Sequence, residues 1–463
     1  MAGEHFEMLL DEDKPKEACG VFGIYAPGQD VARITYYGLY ALQHRGQESA
    51  GIAVGDGEKI TCRKGMGLVG EVFTEDTLRM LKGHIALGHV RYSTAAENTI
   101  ENAQPHNFYY KQGMIALGHN GNLTNYAELR RKLADSGAVF QSTADSELMI
   151  NLIVRAGTED LASGILKTME QLEGSYSLIL ITEKKMFGIR DPHGMRPLCL
   201  GRLGDGYILA SESCALDTIG AEFIRDVKPG EVVMIDEDGV TALQPHRDCK
   251  RALCVFEFVY LARPDSVIDG LSVQQARYAL GKELAREYPL DGDMVIPVPD
   301  SGTSSAFAYA MERGLPFREG LMKNRYVGRT FIRPVQVTRD LGVRLKLNPI
   351  REMIFGKRVI MVDDSIVRGT TSGKLVQMIR EAGAKEVHLL VSSPPVTHSC
   401  YYGIDTSKNG ELIAASHCIE EIREHIGADS LGYLSRSGLH AALAPFNPDI
   451  LCDACFCGDY PIR

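Results

Sequence analysis

The sequence predicts an α/β protein of two domains. Three observations carry that prediction: the chain is too long for one ordinary core, short strand-like runs dominate its first half, and apolar strands alternate with helices in its second. At 463 residues the chain exceeds the size at which single cores stop growing. CGVFGIYAP, beginning at Cys19, MIALGHN and GSYSLILIT are apolar runs punctuated by glycine and read as buried strands. TNYAELRRKLADSG reads as a helix starting near Thr124, and PGEVVMIDEDGV (229–240) as strand–turn–strand with Asp-Gly at the turn. ALQPHRDCKRA (242–252) loses the apolar pattern and gains charge, so the boundary is placed between 19–245 and 246–463. Beyond it MVIPVPDSG, KRVIMVDDSIVRGTTSG and EVHLLVSSPP are β-branched apolar runs, separated by helical periodicity such as KLVQMIREAGA. Buried strands alternating with helices indicate a parallel sheet covered on both faces. Residues 1–18 lack such periodicity and read as a detached leader.

Composition narrows the function. Hydrophobic residues make up 44% and charged residues 24% of the chain, as in soluble globular proteins. Fifty Lys and Arg stand against 60 Asp and Glu, a net charge of -10, which argues against a nucleic-acid-coating surface or a basic membrane face. No apolar run reaches the length of a membrane span, and the acidic N-terminus lacks the form of a secretory signal. A cytoplasmic enzyme with neither nucleic-acid nor membrane partners is expected. Eleven cysteines scattered through such a chain suit catalysis or metal ligation better than disulfides.

The first constellation surrounds Cys19. Alone it reads as a core thiol in a strand. A leader removed ahead of it, however, would leave a free α-amine on the same residue, whose ordinary pKa of about 7.7–8.0 suits a base for the thiol. LQHRGQESAGIA (42–53) sets His44, Arg45 and Gly46 in a glycine-bounded turn, and GHVRYST (88–94) puts Arg91 at a strand end. GHNGNLTN (118–125) carries Asn120 and Gly121 between a strand and a helix. An Asn side chain beside a glycine amide suits a developing oxyanion, an arginine grips a carboxylate with two prongs, and Asp145, in STADSELMI, can balance a substrate ammonium.

C-G-V-F-G, L-Q-H-R-G-Q, H-V-R-Y-S-T, H-N-G-N-L-T-N and T-A-D-S-E, in that order, resemble the class II glutamine amidotransferase domain. The resemblance implies an N-terminal-nucleophile αββα sandwich in which Cys19 is the nucleophile and its amine the base. It implies an oxyanion hole at Asn120 and Gly121, with Arg91 and Asp145 holding the carboxylate and ammonium of glutamine; Arg45 is assigned to glutamine binding with them.

The second constellation is RVIMVDDSIVRGTTSG (358–373): a buried strand, two adjacent acids, a loop of small and hydroxyl residues, then a helix. Loop amides at a helix start bind phosphate, with Arg368, Gly369, Thr370, Thr371 and Ser372 supplying donors. Asp363 and Asp364 can accept from ribose hydroxyls and hold hydrated Mg²⁺. A strand's C-terminal end is where open α/β sheets bind ligands. V-D-D-S-I-V-R-G-T-T-S resembles the phosphoribosyl pyrophosphate (PRPP) motif of type I phosphoribosyltransferases. P-V-P-D-S-G (297–302) resembles their pyrophosphate loop, with Ser301 toward the metal. K-N-R-Y-V-G-R-T-F-I (323–332) resembles a flap bringing Lys323, Arg325 and Arg329 to the phosphates.

The third constellation is cysteine. Cys452 and Cys455 form C-x-x-C with Cys457 as an extra, and Cys254 and Cys400 lie in distant segments. Four such thiolates suit zinc or a 4Fe-4S cluster, and ligand count leaves both open. C-x-x-E-x-x-Y-x-A-R-P-D-S, C-x-Y-G-I-D-T and C-x-x-C-F-x-G-x-Y-P resemble the cluster-containing amidophosphoribosyltransferases. That resemblance implies a 4Fe-4S cluster on Cys254, Cys400, Cys452 and Cys455, and removal of residues 1–18 as a propeptide. Cys457 stands where the pattern has another residue and can exchange with Cys455. The resemblance also implies glutamine and PRPP as substrates, 5-phosphoribosylamine, glutamate and pyrophosphate as products in purine synthesis, feedback by AMP or GMP, and a homotetramer. A hexosamine-forming synthase would lack the PRPP string. A non-enzymatic PRPP sensor would have a decayed glutamine site, whereas Cys19, Arg91, Asn120 and Asp145 are all in place.

Overall fold

The computed structural model describes residues 19–92, 99–157, 159–243, 249–324, 347–404 and 409–462. The leader, the boundary at 245, and Arg325 and Arg329 of the flap lie outside them.

The first domain is built from β1 (Gly20–Tyr25), β2 (Ser49–Gly55), β3 (Ile60–Met66), β4 (Ile85–Arg91), β5 (His106–Tyr110), β6 (Gly113–Leu123) and β7 (Gly174–Ile181). It continues through β8 (Met186–Arg190), β9 (Cys199–Leu203), β10 (Gly206–Ala210), β11 (Glu222–Asp226), β12 (Val232–Asp236) and β13 (Gly239–Leu243). They form two antiparallel sheets, ordered β11-β9-β10-β1-β4-β2-β3 and β13-β12-β8-β7-β6-β5. Strand alternation explains the layering. On β1, Phe22 and Ile24 pack outward against helix Val31–Ala41, while Val21 and Tyr25 face the second sheet with Leu87, Ala116, Ile179 and Leu209. A Cβ on Gly23 would stand 2.8 Å from Ile179 and Met186, so that glycine lets the sheets close. The far face of the second sheet is covered by helices Asp145–Ala156 and Leu161–Met169. The outcome is the αββα sandwich that the resemblance implied.

The second domain holds a four-stranded parallel sheet, in the order Met294–Pro297, Arg358–Asp363, Glu386–Val391, Ser430–Tyr433. Val295, Ile360, Val362 and Leu390 pack on one face with helices Val273–Glu287 and Thr303–Arg313. Ile296, Val359, Met361 and Leu389 pack on the other with helices Thr370–Glu381 and Ile419–Ile426. Both faces are buried, as the continuous apolar runs require. Among the described residues no helix is long and apolar enough to cross a membrane.

Candidate functional sites

Cys19 is buried at the entry to β1, its Sγ donating to the carbonyl of Tyr92 at 3.6 Å. Burial pushes the thiol above its ordinary value, and the nearby Arg91 pulls the other way. Asp145 also lies close enough to act on the thiol. Arg91, the last residue of β4 in the first sheet, and Asp145, the first residue of a helix packed on the second sheet, are therefore both brought close to the cysteine.

Asn120 and Gly121 sit inside β6, not between it and the following helix. The strand runs on because Gly121, Asn122 and Leu123 pair with Tyr176, Ser175 and Gly174 of β7, and the helix opens only at Tyr126. Gly121 has φ +147°, and a Cβ there would stand 2.1 Å from the Ser175 carbonyl, so no other residue fits. The Asn120 side chain is fully buried, and neither its Nδ2 nor its Oδ1 has a partner among the described residues.

His119 was not singled out from sequence, yet it organises this corner. Its Nδ1–H donates to Asp145 Oδ1 at 3.0 Å, its carbonyl accepts from His89 Nε2 at 2.9 Å, and its N–H donates to Gln104 Oε1 at 2.7 Å. Burial works to raise the Asp145 carboxyl, but His119 and backbone N–H donors outweigh it and hold the group below the ordinary range.

Arg45 departs from its expected place among the glutamine-binding residues. Its side chain is 1% exposed. Nε donates to the Cys19 carbonyl at 3.2 Å, Nη1 to Glu212 at 2.6 Å, and Nη1 and Nη2 grip both oxygens of Glu257 at 2.9 Å. These carboxylates occupy the fork that would have met a substrate. Glu257 belongs to the second domain and also accepts from Arg196 at 3.1 Å, so Arg45 joins the nucleophile's main chain to a buried interdomain ion network. His44, from the same turn, donates to Glu212 at 2.7 Å.

At the second site, Asp363 ends its strand and both it and Asp364 are buried. The Asp364 N–H donates to Asp363 Oδ1 at 2.9 Å and Ser365 Oγ to Asp364 Oδ1 at 2.8 Å. A Cβ on Gly302 would lie 2.5 Å from the Val362 carbonyl, which puts the Pro297–Gly302 loop with Ser301 directly beside the acids. Gly369, at φ +79°, turns the chain into helix Thr370–Glu381, so Thr370, Thr371 and Ser372 form its first turn. Arg368 donates to Glu411 at 2.6 Å and Lys323 pairs with Asp300; neither acid was foreseen from the sequence.

Cys254, Cys400, Cys452 and Cys455 line one small pocket together with Arg196 and Tyr402. Cys254 and Cys452 are register partners in a short parallel pair. Burial raises the Cys254 thiol to about 12 and lifts Cys452 and Cys455 well above their ordinary value, each also feeling its neighbouring cysteines. Cys457 is not in the lining; its Sγ donates to the Asp453 carbonyl at 3.6 Å. Among the described residues no group of three or more His, Cys, Asp or Glu is arranged to hold a metal ion.

A two-sheet sandwich with a buried cysteine and a buried Asn side chain that has no partner among the described residues, joined to a parallel sheet ending in paired acids, defines a glutamine amidotransferase coupled to a phosphoribosyltransferase-type domain. The glutamine amidotransferase domain family matches residues 89–218. The chain is 49% identical over 458 residues to the amidophosphoribosyltransferase of Bacillus subtilis, covering 98% of this chain and 96% of that one. It is 50% identical over 448 residues to that of Archaeoglobus fulgidus, covering 96% and 98%. A solved structure of glutamine PRPP amidotransferase from B. subtilis, complexed with ADP and GMP, superposes with a TM-score of 0.91 at 49% identity, over 96% of this chain and 98% of that one. The chain belongs to the amidophosphoribosyltransferase family, and its activity is the transfer of ammonia from glutamine to PRPP.

Proposed function

We propose that Cys19, freed of residues 1–18, attacks the amide carbon of glutamine, with its own α-amine taking the thiol proton. A buried thiol with a raised pKa needs such a base. The observation that carries this reading is the buried amide of Asn120, which has no partner among the described residues. An unpaired buried amide is costly unless a ligand completes it, and a carbonyl becoming an oxyanion does so, with Gly121 as second donor. Arg91 takes the substrate carboxylate and Asp145, held ionised, the ammonium. The tetrahedral adduct expels ammonia, the α-ammonium returning the proton, and leaves a Cys19 thioester that water hydrolyses to glutamate. The ammonia attacks the anomeric carbon of PRPP in the second domain and pyrophosphate leaves, giving 5-phosphoribosylamine for purine synthesis.

There Asp363 and Asp364 hold the ribose hydroxyls and, with Ser301, Mg²⁺. Arg368, Gly369, Thr370 and Thr371 cradle the 5-phosphate, and Lys323, with Arg325 and Arg329, meets the pyrophosphate. Magnesium, when bound, offsets the charge on the departing pyrophosphate. The four pocket cysteines suit a 4Fe-4S cluster: all four line one pocket, and their burial calls for compensating positive charge. Feedback by purine nucleotides is supported by the relative's structure with ADP and GMP. A homotetramer in the cytoplasm completes the reading.

Two substitutions test the halves. Cys19→Ala should abolish glutamine-dependent product, by at least about 10³-fold, and keep ammonia-dependent product. Asp364→Asn should cut both. Full glutamine-dependent activity in Cys19→Ala would remove Cys19 from the reaction, as would active enzyme whose intact mass retains residues 1–18. Iron, sulfide and zinc analysis checks the cysteine site; zinc without sulfide would sink the cluster.

A further inference from the structure

We propose that Tyr401–Gly403, in the second domain, is a positioning segment for glutamine hydrolysis, bracing the Asn120–Gly121 stretch of β6. The inference rests on the reading of those two residues as oxyanion donors. Three successive residues of this loop meet the strand or its neighbour. The Tyr401 carbonyl accepts from Asn122 Nδ2 at 2.9 Å. The Tyr402 carbonyl accepts from Ser175 Oγ at 2.6 Å and from Arg196 Nη2 at 2.7 Å. Ser175 Oγ in turn accepts from the Asn122 N–H at 3.3 Å, so one buried hydroxyl ties β6, β7 and the loop together. Gly403, at φ +92°, lies so close that a Cβ would stand 2.9 Å from the Gly121 carbonyl carbon and 3.1 Å from its Cα.

Gly121 is therefore clamped. Ser175 closes one side, within 2.1 Å of where its Cβ would be, and Gly403 closes another. The loop is itself anchored: Tyr402 is buried, and its phenol donates to the Ile462 carbonyl at 2.6 Å and accepts from the Ile462 N–H at 3.1 Å. An oxyanion hole works only if its donors are fixed to within about half an ångström before the reaction. Here the domain that consumes ammonia supplies the wall against which the ammonia-producing strand is set.

The test separates the half-reactions in the full-length enzyme. Gly403→Ala pushes a methyl into Gly121, and Asn122→Ala with Ser175→Ala removes the side-chain ties without adding bulk. Both are expected to lower kcat for glutamate release, roughly tenfold or more for Gly403→Ala. KM for glutamine and ammonia-dependent product formation should each stay within about threefold, because neither uses the oxyanion donors. Equal loss of both activities in the two variants, or full glutamate release in both, would overturn the brace. If Gly403→Ala does not fold, the Asn122/Ser175 double variant decides alone. Asn120→Ala is measured beside them. Full glutamate release there would overturn the oxyanion reading itself, whereas loss there with full activity in the other two refutes only the brace.

Discussion

Asp145 keeps its charge in a buried position because His119 Nδ1–H donates to it at 3.0 Å. Removing that donor leaves a carboxylate that burial drives toward neutrality, and a neutral acid no longer holds an ammonium. His119→Ala is accordingly expected to raise KM for glutamine about tenfold or more, the worth of one charge-assisted hydrogen bond at roughly 1.5–3 kcal/mol. Steady-state kinetics with glutamine and with ammonia checks it: an unchanged glutamine KM, or an equal loss with ammonia, would remove His119 from this role. Cys19, Arg91, Asn120 and Asp145 were expected in one site from the motifs that carry them, and the structure brings Arg91 and Asp145 close to Cys19. His119 was not, since a histidine beside Asn120 carries no sign of its partner 26 positions away. Arg45 shows the opposite limit. Its sequence suggested a carboxylate partner, and it has two, but they are protein groups 167 and 212 positions distant.

The elements divide the same way. The parallel strands were readable because burial on both faces leaves continuous apolar runs, and their C-terminal ends fixed where the acids would sit. The end of β6 was not, because its apolar run is broken by Asn120, Gly121 and Asn122, which are held in the strand by pairing with Ser177, Tyr176 and Ser175 of β7 that no local pattern announces. The loop into helix Thr370–Glu381 depends on Gly369 at φ +79°, where a Cβ would also press on Ile413 at 2.9 Å. Gly369→Ala should therefore cost about 1 kcal/mol or more of stability and misplace the helix's first turn. KM for PRPP should rise several-fold while KM for glutamine holds. Thermal unfolding and substrate titrations read these out, and an unchanged PRPP KM would detach the turn from phosphate binding.

At the scale of the molecule, the two domains meet through buried charge. Arg45 and Arg196 share Glu257, and Arg190, on β8, pairs with Asp269 of the second domain at 2.8 Å, as does Arg251 at 2.9 Å. Beside that second cluster, Asp226 on β11 is pushed up to about 6, first by burial and then by the charge of Asp269, with Arg190 pulling against both. The direction fixes the pH dependence. A carboxyl whose folded pKa lies above its unfolded value near 4 favours folding while protonated, and that contribution disappears as pH rises through about 6. Above that, the folded state carries an ionised Asp226 at a cost of up to roughly 3 kcal/mol. Asp226→Asn keeps the shape and cannot ionise. It should be more stable than the parent at pH 7.5, by about 1–3 kcal/mol, and the advantage should shrink to under about 0.5 kcal/mol near pH 4, where the parent's folded carboxyl is protonated and its unfolded one about half protonated. Thermal unfolding of both proteins at the two pH values measures the difference directly. An advantage that is the same at pH 4 and pH 7.5 would mean that the residue acts through packing, and that ionisation of Asp226 places no pH-dependent load on the domain interface.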